Sequence, residues 1–135
     1  MLAANVYDIA EDVRNWVENL ARKRKDIFNV GLSGYCAIAS AELYRRLTAA
    51  GIEAELQIAS TQEASHAYVV CEDYIIDVTA TQFSEFRQQH IVILHTKEAE
   101  RYWFYRGEFV FDNANKMRKA QISWGWPQEQ IALTR

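Results

Sequence analysis

The chain has 135 residues, half of them hydrophobic, and its 15 Lys and Arg against 18 Asp and Glu give a formal net charge of −3. This length predicts a single domain over residues 1–135 that buries its own core without disulfide or metal staples. The negative charge argues against nucleic-acid binding, which favours a basic surface. Five glycines and one proline are too few for a low-complexity or collagen-like chain.

The same composition limits the compartment and the partners. Two cysteines are too few for a disulfide framework, and the longest apolar runs fall far short of the ~20 residues that span a membrane. The segment Met1-Leu2-Ala3-Ala4-Asn5 has neither the basic nor the apolar region of a signal peptide. We therefore expect a cytoplasmic protein without membrane contact, and export by a signal-less route is the alternative.

Two amphipathic helices are predicted in the first part of the chain. Apolar residues recur at helical spacing over residues 5–26, and the basic end at 22–25 is interpreted as a solvated helix terminus because it carries four charges without interleaved aromatics. A glycine-containing loop leads to a second helix over residues 36–50. Its stripe of small and apolar residues starts at Cys36, and its solvent-facing side is assigned to Glu42, Arg45 and Arg46.

After Gly51 the pattern changes to the period of a strand. The strand-like runs cover residues 54–58, 65–71, 74–80 and 91–94, and the second and third are expected to form an antiparallel hairpin. Residues 96–105 fit a helix or a strand, 109–111 form another apolar run, and helices are predicted near 115–123 and 128–133. The order of elements predicts an α+β fold with N-terminal helices packed on an antiparallel β-sheet.

Cys36 is the first candidate for chemistry, because it lies at the predicted N-terminus of the second helix, just after Gly34 and Tyr35. Free backbone N–H groups and positive potential at a helix N-terminus favour a thiolate. The same N–H groups can hold an oxyanion during attack on a carbonyl group. By itself, however, Cys36 is better explained as a small buried hydrophobic residue.

The hairpin supplies a base and a carboxylate. If Glu72-Asp73 is a two-residue turn, His66 pairs with Thr79, and His66 and Asp77 become diagonal neighbours on one face. A register slip of one residue would separate them. A carboxylate in this apolar strand needs a partner, and capping of the strand end is the alternative to pairing with His66. If the second helix packs on the His66 face, Cys36 joins them as nucleophile, base and orienting acid.

These segments resemble the papain-like cysteine enzymes, and most closely their transglutaminase-like and arylamine N-acetyltransferase-like branch. The resemblance covers about residues 31–83 and is carried by the segments Gly34-Tyr35-Cys36-Ala37, Ser65-His66-Ala67-Tyr68-Val69 and Tyr74-Ile75-Ile76-Asp77-Val78-Thr79. It implies a papain-like core with Cys36 as nucleophile, His66 as general base and Asp77 as the residue that orients it.

The pattern departs from the family at two positions. Ala37 follows the cysteine where transglutaminases usually have an aromatic residue, and the glutamine that often precedes the cysteine of papain-like peptidases is missing. Gln82 and Tyr35 are the substitute candidates for donors to the oxyanion or the substrate. The fate of the acyl intermediate, whether water, an amine or another acceptor receives it, therefore stays open.

The sequence thus predicts a cysteine-dependent hydrolase or acyl transferase acting on a peptide, glutamine-type amide or thioester substrate. No cofactor and no metal are expected, because the histidines and cysteines lack metal-ligand spacing. The C-terminal aromatic residues are assigned to core filling in preference to a stacking surface for sugar or nucleic acid. The alternative function is a catalytically silent papain-like domain that binds another protein, and the oligomeric state is not predicted.

Overall fold

Three α-helices and one antiparallel sheet make up the fold in a computed structural model that describes residues 2–23, 35–107 and 109–111. Helix α1 spans Val6–Lys23, α2 spans Cys36–Ala49, and the short α3 spans Thr96–Ala99. The bounds of α1 and α2 agree with the predicted helices, so helical periodicity identified both elements. None of the described helices has the length and apolar character needed to cross a membrane.

The sheet has five antiparallel strands in the order β4-β3-β2-β1-β5. Their bounds are β1 Glu55–Ser60, β2 Ser65–Cys71, β3 Tyr74–Asp77, β4 Val92–His95 and β5 Phe109–Phe111. Together with the helices, this sheet makes the protein α+β. Residues 96–105, for which helix and strand were both open, form α3 and a 3₁₀ turn at Trp103–Tyr105. The helices predicted near 115–123 and 128–133 lie outside the described residues.

The hairpin of β2 and β3 has the predicted register. Cys71 pairs with Tyr74 and Val69 pairs with Ile76, so Glu72 and Asp73 form the turn. Glu72 has a φ of 55°, as tight hairpin turns require at their first position.

The expected pairing of His66 with Thr79 is wrong, because β3 ends at Asp77 and the ladder between β2 and β3 ends at Val69 and Ile76. The Asp77 side chain accepts a hydrogen bond from the Thr79 backbone N–H at 2.9 Å, which turns the chain out of the sheet. A 3₁₀ turn at Ala80–Gln82 follows.

Each face of the sheet carries its own core. Buried residues of α1 and α2 pack on the face that includes Leu56, Val69 and Ile76. The opposite face, with Tyr68 and Ile75, is covered by an aromatic cluster from the segments after β3 and β4, made of Phe83, Phe86, Tyr102, Trp103, Phe104 and Tyr105. For the four of them that the sequence analysis assigned to core filling, Tyr102, Trp103, Phe104 and Tyr105, the prediction agrees with their packing.

Two charged side chains of the helices are buried, contrary to the helical patterns. Glu42, expected to face water, is 2 % exposed and accepts hydrogen bonds from Arg45 Nε at 2.8 Å and Arg46 Nε at 3.1 Å. Arg14 of α1 is 7 % exposed, and its guanidinium donates to the Val78 carbonyl at 3.0 Å and to Thr81 Oγ1 at 2.9 Å. Arg14 therefore connects α1 to the segment that follows β3.

Gly107 permits the closest approach between the aromatic segment and the sheet. A Cβ added there would lie 2.6 Å from the Tyr68 hydroxyl oxygen and 2.9 Å from Gln57 Cβ. We expect Gly107→Ala to lower the free energy of unfolding by about 1–3 kcal/mol, because the segment must move away from the sheet. Urea denaturation measures the change, and the exposed Gln62→Ala is the control. An unchanged midpoint for Gly107→Ala would contradict this packing.

Candidate active site

Cys36 is the first residue of α2 and is half-buried. The Ala39 N–H donates to the Tyr35 carbonyl at 3.0 Å, at the start of α2. By the geometry of a helix, the N–H groups of this first turn point toward the end at which Cys36 lies. Residues 36–39 include no acidic side chain. The thiol therefore lies in the positive potential of a helix N-terminus.

His66 and Asp77 form a pair in the interior of the protein. His66 Nε2 lies 2.6 Å from Asp77 Oδ2, and both side chains are 0 % exposed. His66 lies near the start of β2 and Asp77 is the last residue of β3, so they are the diagonal neighbours that the hairpin register predicted. The short distance and the complete burial make this the strongest polar contact between the two strands.

All the acceptor positions of Asp77 are supplied with donors. Oδ1 accepts from the Thr79 backbone N–H at 2.9 Å and from the Thr79 hydroxyl at 3.3 Å. Oδ2 accepts from the Tyr105 hydroxyl at 2.8 Å in addition to His66. Burial raises the pKa of Asp77, but the charge and the hydrogen bond of His66, with the Thr79 and Tyr105 donors, bring that pKa below its ordinary value. Asp77 is therefore a carboxylate, in spite of its burial.

Cys36 lies close enough to His66 for its charge and hydrogen bonding to raise the pKa of the imidazole. Since Asp77 occupies Nε2, the other ring nitrogen, Nδ1, is the one available to the thiol. Burial lowers the pKa of His66, but the Asp77 carboxylate and the contact with Cys36 outweigh it and raise the pKa to about 10. The imidazole is thus protonated at neutral pH and can act as a proton donor beside the Cys36 side chain.

Cys36 reaches His66 by a route that differs from the expected one. The expectation required α2 to pack on the His66 face, but its buried residues pack on the opposite face, with Val69 and Ile76. The Ser40 hydroxyl, one turn after Cys36, donates to the Ala67 carbonyl at 3.0 Å, which fixes the helix beside His66. Because the ladder to β3 has ended before this point, the Cys36 side chain can approach His66 from the N-terminus of α2.

The two predicted substrate or oxyanion donors lie in different surroundings. Gln82 is half-buried, and its Nε2 lies 3.3 Å from His66 Nδ1 and donates to the Thr79 carbonyl at 3.0 Å. Tyr35 is 4 % exposed and packs in the core of α1 and α2. The structure therefore brings Cys36, His66, Asp77 and Gln82 together, whereas the Tyr35 side chain belongs to the core.

Sequence reasoning missed Tyr105 and the aromatic side chains around His66. The Phe83 ring meets the imidazole edge-on at 4.7 Å between ring centroids, and Phe83 stacks on Phe104 at 3.8 Å. These residues exclude water from the base. Their composition suggested only a core, because no local spacing connects Tyr105 with Asp77, which lies 28 positions earlier.

Cys71, the second thiol, is buried in the core of the helices, on the sheet face opposite His66. Burial raises its pKa, so Cys71 has neither the exposure nor the base of a nucleophile.

Comparison of the chain with protein-family models, curated proteins and solved structures found no match. Function is therefore inferred from the geometry of the site.

The ion pair predicts how stability changes with pH. The pKa of His66 is 6.5 in the unfolded chain and about 10 in the folded protein, so its stabilising effect is complete below pH 6.5 and is lost as the pH rises toward 10. In this window only the folded state holds the proton, and the free energy of unfolding falls by at most about 1.4 kcal/mol per pH unit.

His66→Gln keeps a donor to Asp77 but does not titrate, so the fall of the free energy of unfolding with rising pH that His66 causes should be missing from this variant. We expect the wild type to be more stable than His66→Gln at pH 6, and the difference to shrink at pH 7.5 and 9. Urea denaturation at the three pH values measures it, with the mostly exposed His90→Gln as the control that should follow the wild type. A difference that stays constant with pH would contradict the ion pair.

Proposed function

We propose that the protein is a cysteine-dependent hydrolase or acyl transferase, with Cys36 as nucleophile, His66 as acid and base, and Asp77 as the residue that orients His66. The observation that carries the proposal is the continuous hydrogen-bonded series from Cys36 through His66 to a carboxylate that is itself fully satisfied. A buried histidine that serves only the core does not need both a thiol and a carboxylate on its two nitrogens.

In the first step the Cys36 sulfur attacks the carbonyl carbon of an amide or thioester, and a tetrahedral intermediate forms. The backbone N–H of Cys36 and the Gln82 amide, whose Nε2 lies 3.3 Å from His66 Nδ1, are the donors assigned to the oxyanion. His66 Nδ1 gives its proton to the leaving amine or thiol as the carbon–leaving group bond breaks. The acyl group remains on Cys36 as a thioester.

In the second step an acceptor attacks this thioester. His66 Nδ1 takes the proton of the acceptor, the carbon–sulfur bond breaks, and Cys36 is released as the thiolate beside an imidazolium. Water as the acceptor gives hydrolysis or deamidation, which we favour because the sequence shows no acyl-carrier site. Asp77 holds the Nε2–H throughout, so the nitrogen that exchanges protons is always the one that faces Cys36.

The arrangement also supports a papain-like core. A helix that opens with the cysteine, followed by antiparallel strands that carry the histidine and then the acid, occurs here as α2, β2 and β3. That order is the one on which the resemblance to the transglutaminase-like branch rests. Substrates of the same chemistry, a peptide or glutamine-type amide or a thioester, follow from the carbonyl chemistry of a thiolate.

Reactivity of Cys36 tests the proposal directly. At pH 6 we expect iodoacetamide to alkylate Cys36 roughly tenfold or more faster than a small-molecule thiol, because an adjacent imidazolium favours the thiolate. His66→Gln should remove that advantage. Intact mass and peptide mapping locate the label, with the buried Cys71 as the internal control that stays unlabelled in the folded protein.

A silent protein-binding domain would behave differently in the same experiment. Its Cys36 would react no faster than a free thiol at pH 6, and His66→Gln would not change the rate. That result would overturn the proposed activity.

A covalent adduct identifies the substrate class. We expect a panel of peptide amides, glutamine-containing peptides and acyl thioesters to include donors that add an acyl mass to Cys36 in the wild type, because the thioester is an obligatory intermediate. Cys36→Ser, which keeps the size of the side chain, is the matched control and should stay unmodified under the same conditions. Acylation at other residues in both proteins would count against the assignment of Cys36.

A further inference from the structure

One oxygen of Asp77 accepts two hydrogen bonds. His66 Nε2 lies 2.6 Å from Oδ2, and the Tyr105 hydroxyl donates to the same atom at 2.8 Å. Tyr105 is buried, and it comes from the 3₁₀ turn at Trp103–Tyr105, a segment separate from the strands that carry the other two residues. The carboxylate is thus held from two sides, by the base and by a phenol.

The segment that carries Tyr105 is itself fixed on the sheet. The Gly107 N–H donates to the Tyr68 hydroxyl at 2.7 Å, and that hydroxyl donates to Gln57 Oε1 at 2.9 Å. The Tyr105 ring packs edge-on against the Tyr68 ring at 5.3 Å between centroids. The position of the Tyr105 hydroxyl is therefore set by β1 and β2, the same part of the sheet that sets His66.

We propose that Tyr105 is a positioning residue of the site, whose hydroxyl fixes the Asp77 carboxylate in the orientation that faces His66 Nε2 and limits the negative charge that His66 experiences. The proposal rests on the proposed function. It adds a fourth side chain to Cys36, His66 and Asp77, one that acts through Asp77 and does not touch the substrate.

The charges around Asp77 support this role. Besides His66, the groups that face it are Thr79 from its own segment, Tyr105 from the aromatic segment and Tyr68 from β2, with Cys36 beyond His66 and Tyr102 beside Tyr105. Burial, the Asp77 charge and the hydrogen bond raise the pKa of Tyr105 above its ordinary value. Tyr105 therefore keeps its proton and remains a donor at neutral pH.

Two donors on one carboxylate oxygen share its charge, so that each hydrogen bond is weaker than it would be alone. Without the Tyr105 hydroxyl, His66 is the only one of these two donors that remains on Asp77 Oδ2. The imidazolium is then stabilised more strongly, and the proton leaves it at higher pH.

The test is the titration of His66 in ¹⁵N-labelled protein, followed by NMR of its ring nitrogens. In Tyr105→Phe we expect the midpoint to move up by as much as about one pH unit relative to the wild type, and the Nε2 proton resonance to move downfield. Tyr102→Phe, in the same aromatic cluster, is the matched control and should leave both unchanged. Unchanged His66 signals in Tyr105→Phe would overturn the proposal, even if the variant is less stable.

The titration does not depend on catalysis, so the two proposals can fail separately. If Cys36 of the wild type is not unusually reactive, the proposed function fails, and the His66 titration still decides the role of Tyr105. If Cys36 is reactive, the pH dependence of its alkylation rate should change in Tyr105→Phe together with the His66 midpoint.

The hydrogen bond can also be sought without a variant. In the wild type the Tyr105 hydroxyl proton should be slowly exchanging, downfield, and assignable by its contacts with the Tyr105 ring protons. Its absence would overturn the proposal should Tyr105→Phe not fold.

Discussion

The buried pair of His66 and Asp77 is the interaction on which the site and much of the fold depend. Two charged groups without exposure are destabilising unless every polar atom finds a partner, and here the surrounding chain supplies those partners. Thr79 occupies one oxygen of Asp77, Tyr105 shares the other with His66, and Cys36 interacts with the imidazole. The pair thereby links α2, the hairpin of β2 and β3, and the aromatic segment.

The end of β3 follows from the same constraint. Asp77 binds the Thr79 N–H, which ends the strand and starts the 3₁₀ turn that brings Gln82 Nε2 to 3.3 Å from His66 Nδ1. From the other side of the sheet, Arg14 binds the Val78 carbonyl and Thr81 Oγ1. The segment after β3 is therefore held between α1 and the ion pair. A single carboxylate position thus determines both where the strand stops and where the Gln82 amide lies beside His66.

The sequence predicted what depends on local patterns. Alternation around Glu72-Asp73 specified the hairpin register and hence that His66 and Asp77 share a face, because a two-residue turn admits one register. The face on which α2 packs was not predictable, since both faces of the hairpin are apolar apart from the pair. The burial of Glu42 and Arg14 was missed because a helical pattern assigns charged residues to water. Glu42 is paired on its own helix in an arrangement set by packing, and Arg14 binds the Val78 carbonyl, 64 residues later in the chain.

The unequal exposure of the site residues constrains the chemistry further. His66 is fully enclosed, with Asp77 on Nε2 and the Phe83 ring against its edge, while Cys36 and Gln82 are half-buried. In the proposed mechanism, substrate and acyl acceptor therefore meet the site on the side of Cys36 and Gln82. Proton transfer to the leaving group and from the acceptor then uses Nδ1 in turn, because Asp77 holds Nε2, and this is the sequence of events that a thioester mechanism requires. Exclusion of water from the opposite edge strengthens the contact with Asp77, which keeps Nε2 protonated while Nδ1 exchanges its proton.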